Sequence, residues 1–426
     1  MAPPARAPAA DPARHLPVRP DLDQLRHQAK DLLRDVRRGD RSAIDELIAY
    51  HPHRVEPAAA KLADAQLALA RSYGLTSWPR LVLACRVIDA IWRDDVVALR
   101  AIMVRHPRLV HEMARGTEQC NCGPPMSYAA NLGRSRIIAM LRELGADDVQ
   151  SAFERAALQG RIDIARQLYA MGARPARGSV MGPAESQNGA GLALLLELGA
   201  PISDAHGDRL APVAMLLETY SRDPKGKHEC LEVFAKHGIE LPDTPPMAVH
   251  RGRIDLVEEH LRRDPRVLTR RFSHEEIYLP ALGCHADHSL ALHGTPLAGT
   301  TLLHLCVDND EIEMARWMIE RGADVNAKAD VDADGFGGHT ALFGCVVSQP
   351  YRVGLRRDDA FARLLLDHGA DPNVRASLRK RLRFVADEST HEYRDVTALS
   401  WGQRFHDQDW VNGSVLRLLS ERRGRA

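Results

Sequence analysis

Aromatic residues and lysine are scarce in this chain of 426 residues, and its charges cancel. Phe, Trp and Tyr together make up 5% of the sequence, and 57 basic residues balance 57 acidic ones. Because the formal net charge is zero, no overall field attracts the protein to nucleic acid or to anionic lipid. Only seven of the basic residues are lysines, a bias that, with the abundant alanine, is typical of a GC-rich bacterial genome.

Long hydrophobic runs and a cysteine framework are also missing. The longest apolar stretches, such as 192–196, are far shorter than the roughly 20 residues that span a bilayer. The seven cysteines are odd in number and scattered, which fits a reducing compartment better than a disulfide-bonded secreted protein. Residues 1–20 are rich in Ala, Pro and Arg without an apolar core, so we expect them to be disordered and not a signal peptide. These features predict a cytoplasmic protein.

Sequence motifs for catalysis are absent. The chain has no P-loop, no dinucleotide-binding glycine pattern, no His-Glu-x-x-His zinc motif and no Gly-x-Ser-x-Gly nucleophile elbow. The sequence therefore predicts a non-enzymatic protein without a cofactor.

One pattern occurs twice in the C-terminal part of the chain. Residues 301–326 read T-L-L-H-L-C-V-D-N-D-E-I-E-M-A-R-W-M-I-E-R-G-A-D-V-N, and 364–373 read L-L-L-D-H-G-A-D-P-N. This pattern resembles the ankyrin repeat, in which two short antiparallel helices and a turn form a unit that is stable only when stacked on its neighbours. The resemblance implies an all-α ankyrin-repeat solenoid with short β-hairpin fingers. It also implies that His304 bridges backbone groups of neighbouring repeats and has no catalytic role.

A glycine recurs at the end of apolar helical stretches. Gly is favoured there because the residue after a helix adopts a left-handed conformation that a side chain would penalise. Small residues lie 16 positions before three of these glycines, at Ala129, Ala156 and Cys306, where the first helix of a repeat packs closely. The glycines are Gly145, Gly172, Gly199, Gly238, Gly322 and Gly369. With weaker matches, they predict about nine helix-turn-helix units, several of them degenerate.

The spacing of these units divides the rest of the chain into four segments. An apolar helical stripe in 21–80 predicts a helical capping module that shields the first repeat. In 81–266 two successive glycine steps are 27 residues against about 33 in a standard repeat, so we expect degenerate repeats with clipped fingers. Residues 267–300 match no repeat and are predicted to form a long loop. Residues 301–426 are predicted to carry repeats with long fingers.

The resemblance implies a protein partner, which we expect to bind to the concave face and the C-terminal fingers of a monomer. The sequence D-G-F-G-G-H around Phe336 is predicted to turn tightly and to direct the aromatic ring outward as a contact anchor. Four polar residues, in 324–326 and 371–373, also fit a role in shaping turns through side chain to backbone bonds. The predicted partner-binding residues are Asp324, Asn326, Asp330, Asp332, Asp334, Phe336, Asp371 and Asn373.

The basic run 375–383 is interpreted as a solvated face, with an acidic partner patch as the alternative. Nucleic acid is not predicted as a partner, because the run has no interleaved aromatic residues for stacking.

Two clusters raise the alternative of a bound metal. Cys284, His285, His288 and His293 lie in the predicted loop and include the ligand types that Zn²⁺ prefers, so a metal-binding sensor or enzyme is the second hypothesis. The close pair at 120–122 has no second cysteine pair, so it predicts no zinc site.

A calcium site is not predicted. The series Asp330, Asp332 and Asp334 imitates the start of an EF-hand loop, but Ala341 stands where the bidentate glutamate is required. The leading prediction includes no metal. A third hypothesis, a secreted effector, is compatible with the Pro- and Ala-rich residues 1–20.

Overall fold

Helices dominate both compact units of the protein. The computed structural model describes residues 14–117, 122–288, 291–385 and 387–423. The first unit ends at Arg174 and the second begins at Pro175. Within the described ranges, no helix combines the length and the apolarity that crossing a membrane requires.

The first unit begins with three helices that share one apolar core. They are α1 (Leu22–Arg37), α2 (Arg41–Tyr50) and α3 (Leu62–Ser72). The stripe predicted along α1 faces this core, since Leu25, Ala29, Leu32 and Val36 are buried. Asp21 caps α1, because its carboxylate accepts hydrogen bonds from the first free backbone N–H groups.

The chain before α1 is packed where the structure describes it. Leu16 is 2% exposed, and the Tyr128 hydroxyl donates to the carbonyl oxygen of Val18. The prediction of disorder for 1–20 is therefore wrong for 14–20, because an apolar residue in this segment has a core to pack into. Residues 1–13 lie outside the described residues.

Helix pairs make up the rest of both units. In the first unit they are α4 (Trp78–Trp92), α5 (Val96–Arg105), α6 (Pro125–Leu132), α7 (Ser135–Glu143), α8 (Val149–Leu158) and α9 (Ile162–Ala170). In the second unit the helices are α10 (Met181–Glu185), α11 (Gly189–Glu197), α12 (Ala211–Glu218), α13 (Pro224–Lys236), α14 (Pro245–His250), α15 (Ile254–Arg263), α16 (His274–Ile277), α17 (Leu302–Asp308), α18 (Ile312–Glu320), α19 (Ala341–Val346), α20 (Gln349–Arg352), α21 (Ala360–Asp367), α22 (Ala398–Arg404) and α23 (Gly413–Arg423). Apart from α16 and α20, these helices form nine pairs in the described residues, as an ankyrin solenoid requires.

The first helices of successive pairs pack side by side within each unit. In the first unit α4 contacts α6 and α6 contacts α8; in the second, α14, α17, α19 and α22 form a similar row. Ala129, Ala156 and Cys306 are fully buried at these contacts, as predicted from their spacing. All six glycine stops have positive φ, from 87° at Gly238 to 113° at Gly172, which confirms the left-handed helix ends.

The fingers of the second unit form a small β-layer. Strand β1 (Ala376–Arg381) pairs in antiparallel fashion with β2 (Thr390–Val396). The finger before them joins this hairpin, because the Gly337 amide donates to the Ser377 carbonyl oxygen at 2.6 Å. It also joins the preceding finger, since the Asp330 amide donates to the Gly299 carbonyl oxygen at 2.8 Å.

The basic run 375–383 forms a solvated face through its outward-pointing residues, because Arg375 and Arg381 are exposed and Arg379 and Arg383 are half-buried, but Lys380 departs from that prediction. The run contains β1, whose residues point alternately inward and outward. Ala376, Leu378 and Lys380 are buried, whereas Arg381 is exposed.

His304 connects two repeats in the way that the resemblance implies. Its Nδ1 lies 3.0 Å from the Thr301 hydroxyl and its Nε2 lies 3.2 Å from the His339 carbonyl oxygen. His304 is 4% exposed, and burial lowers its pKa to about 3. The imidazole is thus a neutral, buried bridge between backbone and side-chain groups.

Candidate partner-binding surface

A groove of about 920 Å³ lies in the second unit. Met181 of α10 and Met215 of α12 line one part of it, and the loop around Leu292 lines another. The tip of the β1–β2 hairpin, at 383–385, completes the lining. Helices from repeats and a finger thus contribute to one concave, largely apolar surface.

Three large apolar side chains on this groove are open to solvent. Tyr220 is 50% exposed, Val353 38% and Phe384 75%. Contiguous exposed apolar surface marks interaction sites, since burying it in a complex is favourable.

Phe384 is held in an unusual backbone conformation. Its φ is 61°, in the left-handed region that residues with a Cβ rarely adopt. A hydrogen bond fixes this conformation, because the Phe384 amide donates to Glu388 Oε1 at 2.7 Å. Strained positions of this kind cluster at binding sites. The ring is therefore displayed by the hairpin turn.

Two buried polar atoms beside the groove have no hydrogen-bond partner among the described residues. They are Nε1 of Trp410, a donor, and Oε1 of Gln349, an acceptor. The same Gln349 side chain donates through Nε2 to the Tyr220 carbonyl oxygen at 2.6 Å, so its orientation is set. Unpaired buried polar atoms are costly, and these two have almost no surface that a molecule in the groove could contact.

The loop that borders the groove is fastened by Glu218 at the end of α12. Its Oε1 accepts from the His285 amide and its Oε2 lies 2.8 Å from His285 Nδ1. The long loop predicted at 267–300 is thus attached to the repeats, and it contains the short helix α16.

The eight residues predicted to bind the partner lie on the fingers, outside the lining of this groove. Four of them shape turns. Asp324 accepts from the Asn326 amide and Asp371 accepts from the Asn373 amide, each at 2.8 Å. The Asn326 side chain also accepts from the Asp371 amide at 2.7 Å, and so links two successive fingers.

The prediction that Phe336 points outward is wrong. Phe336 is 6% exposed, and the guanidinium carbons of Arg379 and Arg394 lie 4.4 Å and 4.2 Å from its ring centroid. Arg379 also donates to Asp332 at 2.6 Å and to Asp334 at 2.9 Å. The finger packs against the hairpin, which covers the ring.

Asp330 is the remaining predicted contact. It is exposed, and its carboxylate lies 3.3 Å from Nε of Arg271 on the preceding finger. The acidic side chains of the finger thus face basic ones within the same unit.

A buried ionic cluster holds the repeats of the second unit together. It centres on the end of α17, where residues 308–311 are all buried. Arg222 donates to Asp308 at 3.0 Å and to the Leu292 carbonyl oxygen at 2.7 Å. Lys227 donates to Asn309 at 2.7 Å. Burial raises the pKa of Asp308, against the opposing effect of Arg222, and lowers the pKa of Lys227 to about 8.

The Cys and His residues of the loop do not form a ligand set. Cys284 is buried, which raises its thiol pKa, whereas His285 is exposed and bound to Glu218. Across the part of the chain that the structure describes, no three His, Cys, Asp or Glu side chains are arranged to hold a metal ion. Cys120 of the other cluster lies outside the described residues.

The exposed aromatic and apolar residues of the groove were not predicted from the sequence. Tyr220 follows α12. Phe384 lies in the turn of the β1–β2 hairpin, whose first strand was not predicted because it lies within the basic run 375–383. A signal was present in the pattern Leu378, Leu382 and Phe384, which alternates with charged residues, but the lysine at 380 interrupts it.

Comparison with known proteins bears on the repeat at α17 and α18. Residues 298–330 match the family model of the ankyrin repeat. They form an ankyrin repeat. The matched segment includes His304 and the glycine stop at Gly322, so the motif and its structural role coincide.

Beyond this ankyrin repeat, sequence similarity is low. No curated protein matches the chain. Among solved structures, the crystal structure of the human ASB11 ankyrin repeat domain is 14% identical, covering 80% of this chain and 96% of that chain, with a TM-score of 0.21. At so low a TM-score the superposition adds nothing to the fold assignment, which follows from the helix pairs themselves.

Proposed function

We propose that this protein is a non-enzymatic scaffold that binds a short apolar segment of a partner protein in the groove of the second unit. The observation that carries the proposal is the grouping of Tyr220, Val353 and Phe384, all exposed, around one cavity. Ankyrin repeats are in general modules for protein binding, which supports this role.

The ligand that we propose is a polypeptide, because ankyrin repeats in general bind proteins and the exposed large side chains of the groove are apolar. The apolar side chains of the segment would then cover Tyr220 and Phe384.

The fingers are proposed as a second contact area. Asp324, Asp330, Asp371 and Asn373 are exposed on these fingers. We also propose that 21–80 caps the first repeat and that the protein acts in the cytoplasm as a monomer.

The test compares exposed apolar residues on and off the groove. Tyr220→Ser and Phe384→Ser remove groove side chains, whereas Val97→Ser and Val104→Ser remove side chains that are 81% and 63% exposed in the first unit. Tagged protein is used to capture partners from its own organism, and peptides covering the captured partner are then titrated by fluorescence anisotropy.

We expect one peptide to bind the unsubstituted protein and both first-unit variants equally. Each groove variant should bind it about tenfold or more weakly, as removal of an aromatic contact anchor does. Equal affinity of the groove variants, or equal loss in all four variants, would contradict the proposal.

A further inference from the structure

Lys380 is a buried residue whose ammonium group has no partner among the described residues. It lies on β1 and is 7% exposed. Among the described residues it makes no hydrogen bond and no ion pair within 4.0 Å, whereas Arg222 bonds Asp308 at 3.0 Å and Lys227 bonds Asn309 at 2.7 Å. An isolated buried ammonium group is expensive, so buried lysines are nearly always paired.

The neighbouring acidic groups are already engaged. Asp308 attracts Lys380, but it is held by two nitrogens of Arg222. Burial, the largest effect, lowers the pKa of Lys380 to about 8, and the positive charge of Arg222 acts in the same direction against Asp308. At neutral pH the group is therefore still mostly charged, and the protein itself leaves this charge without a counterion.

A small cavity lies beside this lysine. It has a volume of about 300 Å³, and its lining includes Lys380, Arg381, His288, His293 and Thr390. Among the residues that the structure describes, none with a carboxylate lines this cavity. His293 is 4% exposed, and its Nδ1 has no hydrogen-bond partner among the described residues. The cavity is therefore lined by an unpaired cation and a buried imidazole.

We propose that this cavity, which His293 also lines, binds a small oxyanion, of which phosphate is the type, through the ammonium group of Lys380. The anion supplies the missing counterion for Lys380. Its oxygens accept charge-assisted hydrogen bonds from the ammonium group.

The volume of the cavity alone does not determine which oxyanion it binds. Phosphate and acetate share the acceptor oxygens that the lysine recognises, but they differ in charge and in the number of oxygens. Both anions are therefore used as probes. Each is compared with sodium chloride at equal ionic strength, so that the effect of general ionic screening on the protein is subtracted.

The experiment measures binding of inorganic phosphate and of acetate to the full chain by isothermal titration calorimetry and by thermal shift. Lys380→Met removes the cation at similar volume, and Lys380→Gln serves as a second variant. Lys225→Met, at a side chain that is 87% exposed, is the matched control. A cooperative unfolding transition shows that each variant is folded.

We expect saturable binding of phosphate to the unsubstituted protein and to the Lys225 variant, with a rise in melting temperature. Both Lys380 variants should bind about tenfold or more weakly, because a charge-assisted hydrogen bond is lost. Binding of acetate as well would support a general oxyanion site, and binding of phosphate alone would support a site for phosphate groups. No saturable binding of either anion, or equal binding by the Lys380 variants, would overturn the proposal.

Discussion

The guanidinium carbon of Arg379 lies 4.4 Å from the centroid of the Phe336 ring. Arg394, on the neighbouring strand, lies 4.2 Å from the same centroid. Two cations therefore cover one aromatic ring, and each contact of this kind stabilises by about 0.5–2 kcal/mol, depending on how far it is desolvated. Phe336 thus joins the finger of one repeat to the hairpin of the next.

Phe336→Ala should lower the stability of the second unit. Replacing a buried phenylalanine by alanine leaves a cavity and costs about 3–5 kcal/mol; we expect about 3 kcal/mol here, because the ring is covered by flexible arginines. Urea denaturation measures the loss in the free energy of unfolding. Phe384→Ala is the control, since its ring is 75% exposed and its removal should change stability by less than about 0.5 kcal/mol. Equal stability of the two variants would contradict this assignment.

The two phenylalanines show what the sequence could predict and what it could not. The glycine stop at Gly322 and the bridging role of His304 follow from local stereochemistry and from the repeat motif, and both are confirmed. Whether Phe336 is buried depends on β1 and β2, which lie further along the chain. The alternation that would predict β1 is broken by Lys380, because a charged residue occupies an inward position.

The groove could not be predicted for a related reason. Tyr220 and Phe384 come from segments far apart in the sequence, and only the path of the intervening repeats brings them to one cavity. The binding potential of Phe384 also depends on its left-handed backbone, which no residue type at that position signals. A repeat pattern therefore does not predict which aromatic residues outside its regular positions are exposed.

Acidification should destabilise the second unit through its buried histidines. Burial lowers the pKa of His304 to about 3 and that of His339 to about 4, from an ordinary value of 6.5. Below pH 6.5 the unfolded chain binds protons that the folded chain cannot. The contribution of these neutral histidines to the free energy of unfolding is therefore complete above pH 6.5 and is lost as the pH falls. At pH 5 each histidine should account for a loss of about 2 kcal/mol.

The measurement is urea denaturation at pH 7 and at pH 5. His304→Gln removes one of these buried titrating groups, so the decrease in stability between these pH values should be smaller by about 2 kcal/mol than in the unsubstituted protein. His339→Gln should reduce it by a similar amount. A decrease that is the same in all three proteins would show that these histidines do not titrate as the burial implies.

The buried pair of Arg222 and Asp308 should be far more sensitive to substitution than an exposed pair of similar geometry. Arg222→Met leaves the buried Asp308 carboxylate without its cation, which costs about 3–5 kcal/mol. Adding Asp308→Asn removes the uncompensated charge, so the double variant should recover part of this loss. Recovery is incomplete because the Leu292 carbonyl oxygen, which accepts from Arg222 at 2.7 Å, still lacks a donor.

The more exposed pair of Arg363 and Asp359 provides the matched control. Their side chains approach to 2.7 Å at the start of α21, closer than the 3.0 Å between Arg222 and Asp308. Water nevertheless reaches both groups, since the side chain of Arg363 is 54% exposed and that of Asp359 is 21% exposed, so Arg363→Met should cost less than about 1 kcal/mol. If the free energy of unfolding falls equally for Arg222→Met and Arg363→Met, burial does not determine the strength of these contacts. A large difference in the expected direction would establish that desolvation, and not the distance between charges, makes the Arg222–Asp308 contact essential for holding the repeats together.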